Sequence, residues 1–188
     1  HLAASVIHEA DLRDDVADCT VLDLGAGTGM LALGAALRAP ARAVGVELDP
    51  AAIETARENR RRVGARAPVE WVRADVTRLP VRDGGDPARQ TTVVTNPPFG
   101  AQTESESSDR AFLLAASRVA DVSYSVHNGG SRDFAEAFAA DNGGRVTASY
   151  AATLELDRQF DFHEADERAI GVEVHRIEWS CRGADADA

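Results

Sequence analysis

Apolar runs that alternate with helix-forming stretches predict an α/β chain, a mostly parallel sheet with helices on both faces. Three observations carry that reading. A short apolar run, Thr20 to Leu24, passes straight into the triple-glycine bend Gly25-Ala26-Gly27-Thr28-Gly29. Further apolar runs follow, most of them separated by helical stretches, and two final runs have only a polar loop between them. The 188 residues suit one domain, which buries roughly 70% of its unfolded surface on folding. Residues 1–188 are therefore expected to form a single domain, with 183–188 as a flexible tail.

Taken in order, Leu2 to Glu9 reads as a helix and Thr20 to Leu24 as a buried strand. Met30 to Leu37, rich in Ala and Leu, is a helix stopped by Pro40. Ala43 to Glu47 is the second strand. Asp49-Pro50 then opens a helix, as N-cap and first-turn proline, that runs to about Arg62 before Gly64. Val69 to Arg73 and Thr91 to Thr95 are strands three and four, Arg110 to Val119 a helix, and Val122 to Val126 strand five. Ser131 to Ala140 is a helix closed by Asn142-Gly143-Gly144. Arg145 to Leu156 and Gly171 to Trp179 should pair antiparallel. Asp83 to Arg89 and Gln102 to Asp109 read as loops beside the site.

Composition excludes several classes. No apolar run approaches the roughly 20 residues of a membrane span. All 20 basic residues are arginine, so a phosphate-cradling P-loop with its GK[ST] lysine cannot be built. Cys19 and Cys181 lie far apart with no CxxC, which gives neither a zinc knuckle nor a disulfide framework and fits a reducing cytoplasm. The chain opens on His1 without a charged-then-apolar leader, so no secretory signal is read and some N-terminal sequence is expected to be missing. The net charge of -11 strains a compact fold by self-repulsion that molar salt screens, which points to a salt-loving host. Such a charge ordinarily opposes nucleic-acid binding, but the opposition weakens in high salt.

The glycine bend allows close approach of a ligand to the backbone. A dinucleotide site places its third glycine three positions after the second, where this chain has Met30, so the spacing fits a methionine carboxylate better than a pyrophosphate. Glu47 ends the second strand, where a carboxylate can accept both hydroxyls of a ribose. Asp75, after the third, can accept an adenine amino group while the Val76 amide donates to the ring. Asp49 needs no role beyond its cap.

Thr95-Asn96-Pro97-Pro98-Phe99-Gly100 closes the fourth strand. An exocyclic or amide nitrogen is a poor nucleophile because its lone pair is delocalised. The Asn96 side-chain oxygen and the Pro97 carbonyl can each accept one N–H and favour a tetrahedral nitrogen aimed at a sulfonium methyl. Proline rigidity holds that carbonyl, and Phe99 can stack on the planar target. Neither a metal nor a strong base is required.

With these motifs in order (DLGAGTG, VGVELDP, RADV and TNPPFG), the chain resembles the class I methyltransferases that use S-adenosylmethionine. Ser108 to Leu113, Tyr124 to His127, Ser131-Arg132 and Phe160-Asp161-Phe162-His163 narrow the resemblance to the methyltransferase-like protein five family and its archaeal relatives. Those are small enzymes that methylate N6 of an adenosine in small-subunit ribosomal RNA. The resemblance implies a Rossmann-like, seven-stranded sheet whose last strand is antiparallel. It implies S-adenosyl-L-methionine held by Asp23, Gly25, Gly27, Thr28, Gly29, Met30, Glu47, Leu48, Asp75, Val76 and Asn96, with Asn96, Pro97, Pro98 and Phe99 as the catalytic segment. It also implies an RNA partner and, by analogy with eukaryotic members, a small zinc-binding activator protein that adds a strand to a sheet edge.

The chain departs from the family at two places. Relatives carry a Gln-Tyr-x-Thr-Pro segment upstream of the first strand, and they are basic where this chain reads Glu164-Ala165-Asp166-Glu167-Arg168. His127, Phe160, Phe162 and His163 are candidate substrate contacts, each with a plain packing alternative. The arginines at 57, 60, 61 and 62 read as a solvated helix face paired with Glu54 and Glu58, and Trp71 and Trp179 as core. A glutamine N5-methyltransferase acting on a release factor meets the same demand on Asn96, although that family has Tyr at the position of Phe99. A guanine N2 RNA enzyme usually carries a second domain, a DNA adenine enzyme a target-recognition domain, and a non-catalytic module has no need of Asn-Pro-Pro-Phe.

Overall fold

Seven strands form one sheet in the order β3-β2-β1-β4-β5-β7-β6 in the computed structural model, which describes residues 2–64, 68–98, 102–155 and 169–180. The strands are β1 (Thr20–Leu24), β2 (Arg42–Glu47), β3 (Val69–Arg73), β4 (Thr91–Thr95), β5 (Val122–Asn128), β6 (Gly144–Glu155) and β7 (Ala169–Trp179). β7 runs antiparallel to both its neighbours, and β1 to β5 are parallel. Among the described residues five α-helices and a short 3-10 turn (Val76–Arg78) complete the fold: α1 (Leu2–Asp11), α2 (Met30–Ala36), α3 (Pro50–Val63), α4 (Gln102–Val119) and α5 (Arg132–Asp141). None of them is long and apolar enough, among the described residues, to cross a membrane.

Burial on both faces explains why the strands are continuous apolar runs instead of alternating ones. Every residue of β1 and β4 is buried. One face packs Leu22, Val44, Val46 and Val93 against Phe112, Leu113 and Ala116 of α4 and Phe138 of α5. The other packs Val21, Val94, Tyr124 and Val126 against Val6, Ile7 and Ala10 of α1 and Leu31 of α2. α3 starts as expected: Asp49 accepts the Ala51 amide at 2.9 Å, and Gly64 closes the helix at φ 63°. Trp179 is buried with its Nε1–H on Ser123 Oγ at 3.0 Å. Trp71 is only half-buried, and its ring fills the space over Gly29 and Gly45, where an added Cβ would come within 2.5 and 2.3 Å of it.

Two expected loops are placed differently. The 102–109 stretch is the first half of α4, because its Gln and Glu residues extend a helix already nucleated by the Ala/Leu-rich 110–119 segment. The 83–89 segment is a loop, but it lies at the amino ends of the strands. It leads into the first residue of β4, and in a parallel sheet every connection must return to that end. Gly85, Asp86 and Pro87 accordingly line a cavity of about 400 Å³ with Thr20, Arg42 and Thr91, the first residues of three strands.

Candidate functional site

Parallel register brings the predicted residues to one edge. Leu24 pairs with Val46 on one side and with Thr95 on the other, and Glu47 pairs with Arg73, so the chain leaves four adjacent strands at the same level. After β1 the connection runs towards β2, and after β4 it runs the opposite way, towards β5. The crevice between β1 and β4 is thus the switch point, where ligands bind in open α/β sheets.

The bend after β1 is built by its glycines. Gly25, Gly27 and Gly29 have φ of 70°, 52° and 84°, a region that costs other residues strain. The Gly25 and Ala26 amides both donate to the Val46 carbonyl at 2.9 Å, which ties the bend to β2. Two glycines also answer a packing demand, since a Cβ on Gly25 would meet the Phe112 ring at 2.7 Å and one on Gly29 would meet Trp71 at 2.5 Å. Gly27 differs: nothing lies within 4 Å of its Cβ position.

Glu47 turns its carboxylate to this bend. Its Oε2 accepts the Gly27 amide at 2.7 Å, and its Oε1 accepts the amides of Leu48 and Asp49 at 2.7 and 2.9 Å. Asp75 accepts the Thr77 amide and hydroxyl, both at 2.8 Å and both on Oδ1, and these bonds hold it below the usual carboxylate range. Asp23 is the buried member, 1% exposed. Its Oδ2 accepts the Ala32 amide of α2 at 2.9 Å, while Oδ1 has no partner. Burial, with Glu47 nearby, pushes its pKa up to about 7.

Two cavities meet here. One, about 470 Å³, is lined by Glu47, Leu48, Asp75, Val76, Pro98 and Phe112. The other, about 370 Å³, is lined by Asp23, Thr28 and Met30 together with Leu2, Val6 and Val126. Gly25, Gly27 and Asn96 border both. Asn96 is exposed, Pro97 buried and Pro98 exposed, and the end of β4 is fixed by Thr95 Oγ1 donating to the Leu24 carbonyl at 2.8 Å.

These two cavities offer what an adenosine linked to an amino acid requires. The larger sets two carboxylates, Glu47 and Asp75, beside the apolar Val76 and Phe112, and the smaller is bordered by Asp23, whose buried Oδ1 has no partner. The open space at Gly27 leaves room for the ligand to pass between them.

The remaining candidates fall elsewhere. His127 lines neither cavity. Its side chain is wholly buried, with Nε2 2.8 Å from Ser125 Oγ and Nδ1 3.1 Å from Asp109 Oδ2, because odd-numbered residues of β5 face α4 and α5. Phe99, Phe160, Phe162, His163, Cys181, the 164–168 acidic stretch and the 183–188 tail lie outside the described residues. Arg57 pairs with Glu54 and Arg62 with Glu58, as a solvated face would. Cys19 is free and buried. Among the described residues no group of three or more His, Cys, Asp or Glu could hold a metal ion. The sequence reading gave no role to Phe112, Leu2 or Val6. Phe112 sat inside a family-like segment, but Leu2 and Val6 carry no motif and reach the site because α1 packs against α2, the helix that follows the glycine bend.

Comparison with known proteins agrees with this geometry. Residues 5–121 match the methyltransferase small domain family. A Drosophila melanogaster protein, the rRNA N(6)-adenosine-methyltransferase Mettl5, is 33% identical over 95% of this chain and 83% of its own length. The crystal structure of a Pyrococcus horikoshii protein, described as a candidate RNA methyltransferase, superposes with a TM-score of 0.79 at 32% identity, covering 95% of this chain and 83% of that one. Magnesium protoporphyrin IX methyltransferase of Synechocystis, solved with bound S-adenosylmethionine, shares the fold with a TM-score of 0.70 at 13% identity, over 95% of this chain and 78% of its own. The chain belongs to the methyltransferase small domain family, as a class I S-adenosylmethionine-dependent methyltransferase that resembles the methyltransferase-like protein five group.

Proposed function

We propose that this chain methylates N6 of an adenosine in small-subunit ribosomal RNA. The observation that carries the reading is the position of Asn96, exposed at the border shared by the two cavities. The relatives' described activity and the Asn-Pro-Pro-Phe segment support it.

S-adenosylmethionine supplies an electrophilic methyl group on a sulfonium. Glu47 would accept the ribose hydroxyls, Asp75 the adenine amino group, and Val76 and Phe112 would give the ring an apolar bed. Asp23 would take the ammonium of the methionine end on its unpartnered Oδ1. The target base enters from the Asn96 side. Asn96 Oδ1 and the Pro97 carbonyl each accept one N–H of its amine, which weakens conjugation with the ring and turns the lone pair towards the methyl. Buried Pro97 keeps its carbonyl from drifting, and an aromatic residue close by in sequence, Phe99, is of the type that stacks on a flipped base. The proton leaves after transfer, so no strong base is needed. An activator subunit would add a strand at β3 or β6, the two edges of the sheet.

The test is transfer of label from S-adenosylmethionine in molar salt, with and without a candidate activator, to ribosomal RNA or to a release factor, followed by digestion and identification of the modified residue. N6-methyladenosine in small-subunit RNA is expected. Label on protein glutamine alone sinks the RNA reading.

A further inference from the structure

Beside the catalytic segment lies a polar contact that the chemistry above does not use. β5 adjoins β4 with Thr95 opposite Ser125, so His127 stands two residues further on, beyond the last described pair of β4. Its ring is fixed from below by Ser125 Oγ at 2.8 Å. Asp109, two turns into α4, places Oδ2 3.1 Å from Nδ1, although out of line for a straight N–H bond. Nearby residues of α4 make contacts of their own. Arg110 lies over the rings of Phe134 and Phe138 of α5, at 5.4 and 5.8 Å, and Phe112 lies against Gly25 on the wall of the larger cavity.

The stretch from Thr95 to Asp109 contains Asn96, Pro97 and Pro98 and returns as α4. One end of it is tied down by Thr95 Oγ1 on the Leu24 carbonyl. The other end has the Asp109–His127 contact. The side chain of His127 has no exposed surface and that of Asp109 only 14%, so the contact is a close, weakly screened polar one.

We infer that Asp109 and His127 form a latch that positions the catalytic segment: they hold α4 against β5, and through α4 they set both the placement of Asn96-Pro97 and the seat of Phe112. Both are positioning residues, since neither reaches the cavities. The inference rests on the reading that Asn96 and Pro97 grip the target amine.

Two readouts test it on the full chain. In Asp109→Ala, kcat on the RNA substrate is expected to fall about tenfold or more, as displacement of a reacting group does, with the dissociation constant for S-adenosylmethionine changed by less than about threefold. His127→Asn, whose amide nitrogen takes the place of Nδ1, should retain most of kcat, and Asp109→Asn should lie between. Hydrogen exchange read on peptides covering 96–108 should be about tenfold faster in Asp109→Ala, with peptides from β1 and β2 unchanged. Unchanged exchange at 96–108 overturns the latch. So does faster exchange throughout the protein in proportion to lost stability, which is ordinary packing. Asn96→Ala is the control: if it keeps wild-type turnover, the reading of the tetrapeptide fails, while the exchange data still decide the latch. Should Asp109→Ala not fold, the same two readouts on Asp109→Asn and His127→Asn decide it.

Discussion

The two ends of the parallel strands carry cavities of similar size, about 400 Å³ at the amino ends and about 470 and 370 Å³ at the carboxyl ends. Their polar groups differ. At the amino ends Thr20 donates to Asp86 at 2.8 Å, the Asp86 amide donates to Thr91 at 2.9 Å, and Arg42 grips Glu70 through two bonds of 3.1 and 2.6 Å. Close by, Asp15 accepts from Tyr124, Gln90 and Arg176 at 2.6, 2.8 and 2.9 Å. At the carboxyl ends Asp23 keeps a buried oxygen without a partner, Gly27 faces open space and Asn96 is exposed. Volume therefore does not mark the site. What marks it is the coincidence of a buried, unpartnered carboxylate oxygen with an open glycine bend and an exposed amide at one strand edge. Among the described residues the other buried side-chain polar atoms without a hydrogen bond, Trp71 Nε1, His127 Nδ1 and Tyr150 OH, border neither cavity.

If that contrast is right, damage at the amino ends should cost stability and damage at the carboxyl ends should cost chemistry. The largest effect is expected from Asp15→Ala. Asp15 is 3% exposed and anchors Arg176, whose side chain is 12% exposed and keeps Glu178 as its remaining carboxylate partner. Because Tyr124, Gln90 and Arg176 all lose their shared acceptor at once, unfolding free energy should fall by about 3 kcal/mol, read from the urea midpoint, with cofactor affinity of the folded protein unchanged. A loss below about 1 kcal/mol, or a parallel fall in cofactor affinity, breaks the contrast.

Asn96→Ala should do the reverse. As an exposed residue past the end of β4, it should alter stability by less than about 1 kcal/mol. Turnover should drop about a hundredfold or more, as when one oriented catalytic hydrogen bond is lost, with cofactor affinity kept within severalfold. Single-turnover kinetics at saturating cofactor separate these quantities. Equal loss of both would remove Asn96 from the chemistry.

How far the sequence could be read follows from which features are local. The strand boundaries of β1, β3 and β4 and the Asp49 cap were legible because burial on both faces and a capping bond leave continuous or short-range patterns. The shared edge of Glu47, Asp75 and Asn96 was legible because Glu47 ends β2, the other two follow the ends of β3 and β4 closely, and parallel strands share a level. The start of α4 was not, since Ser and Glu suit a loop or a helix surface equally and only the ensuing turns decide. His127 was misplaced towards the pocket because a strand buried on both faces gives no apolar–polar alternation to say which layer a given residue faces. The place of Leu2 and Val6 beside the cavity was invisible, as it arises from the packing of α1 on α2, a contact between segments distant in sequence.

Asp23 gives the finest test of the contrast, through pH. Its carboxyl titrates near 7 in the fold against 3.8 as an ordinary aspartate, so the folded chain holds this proton more tightly than the unfolded one does. The stabilisation that follows is complete below pH 3.8 and is lost as pH rises through about 7. A cation bound at Oδ1 reverses the preference, because it favours the charged carboxylate. Uptake of S-adenosylmethionine should therefore release a proton below pH 7, and affinity should climb by up to about tenfold per pH unit there. Above about pH 8 the α-amino group of the ligand begins to lose its own charge, so the profile should bend over. Calorimetry in buffers of different ionisation enthalpy counts the proton directly. In Asp23→Asn the rising limb should vanish while Glu47 and Asp75 still hold the adenosine end. A rising limb that persists in that variant would assign the titration to another group and leave the orphaned oxygen without its ligand.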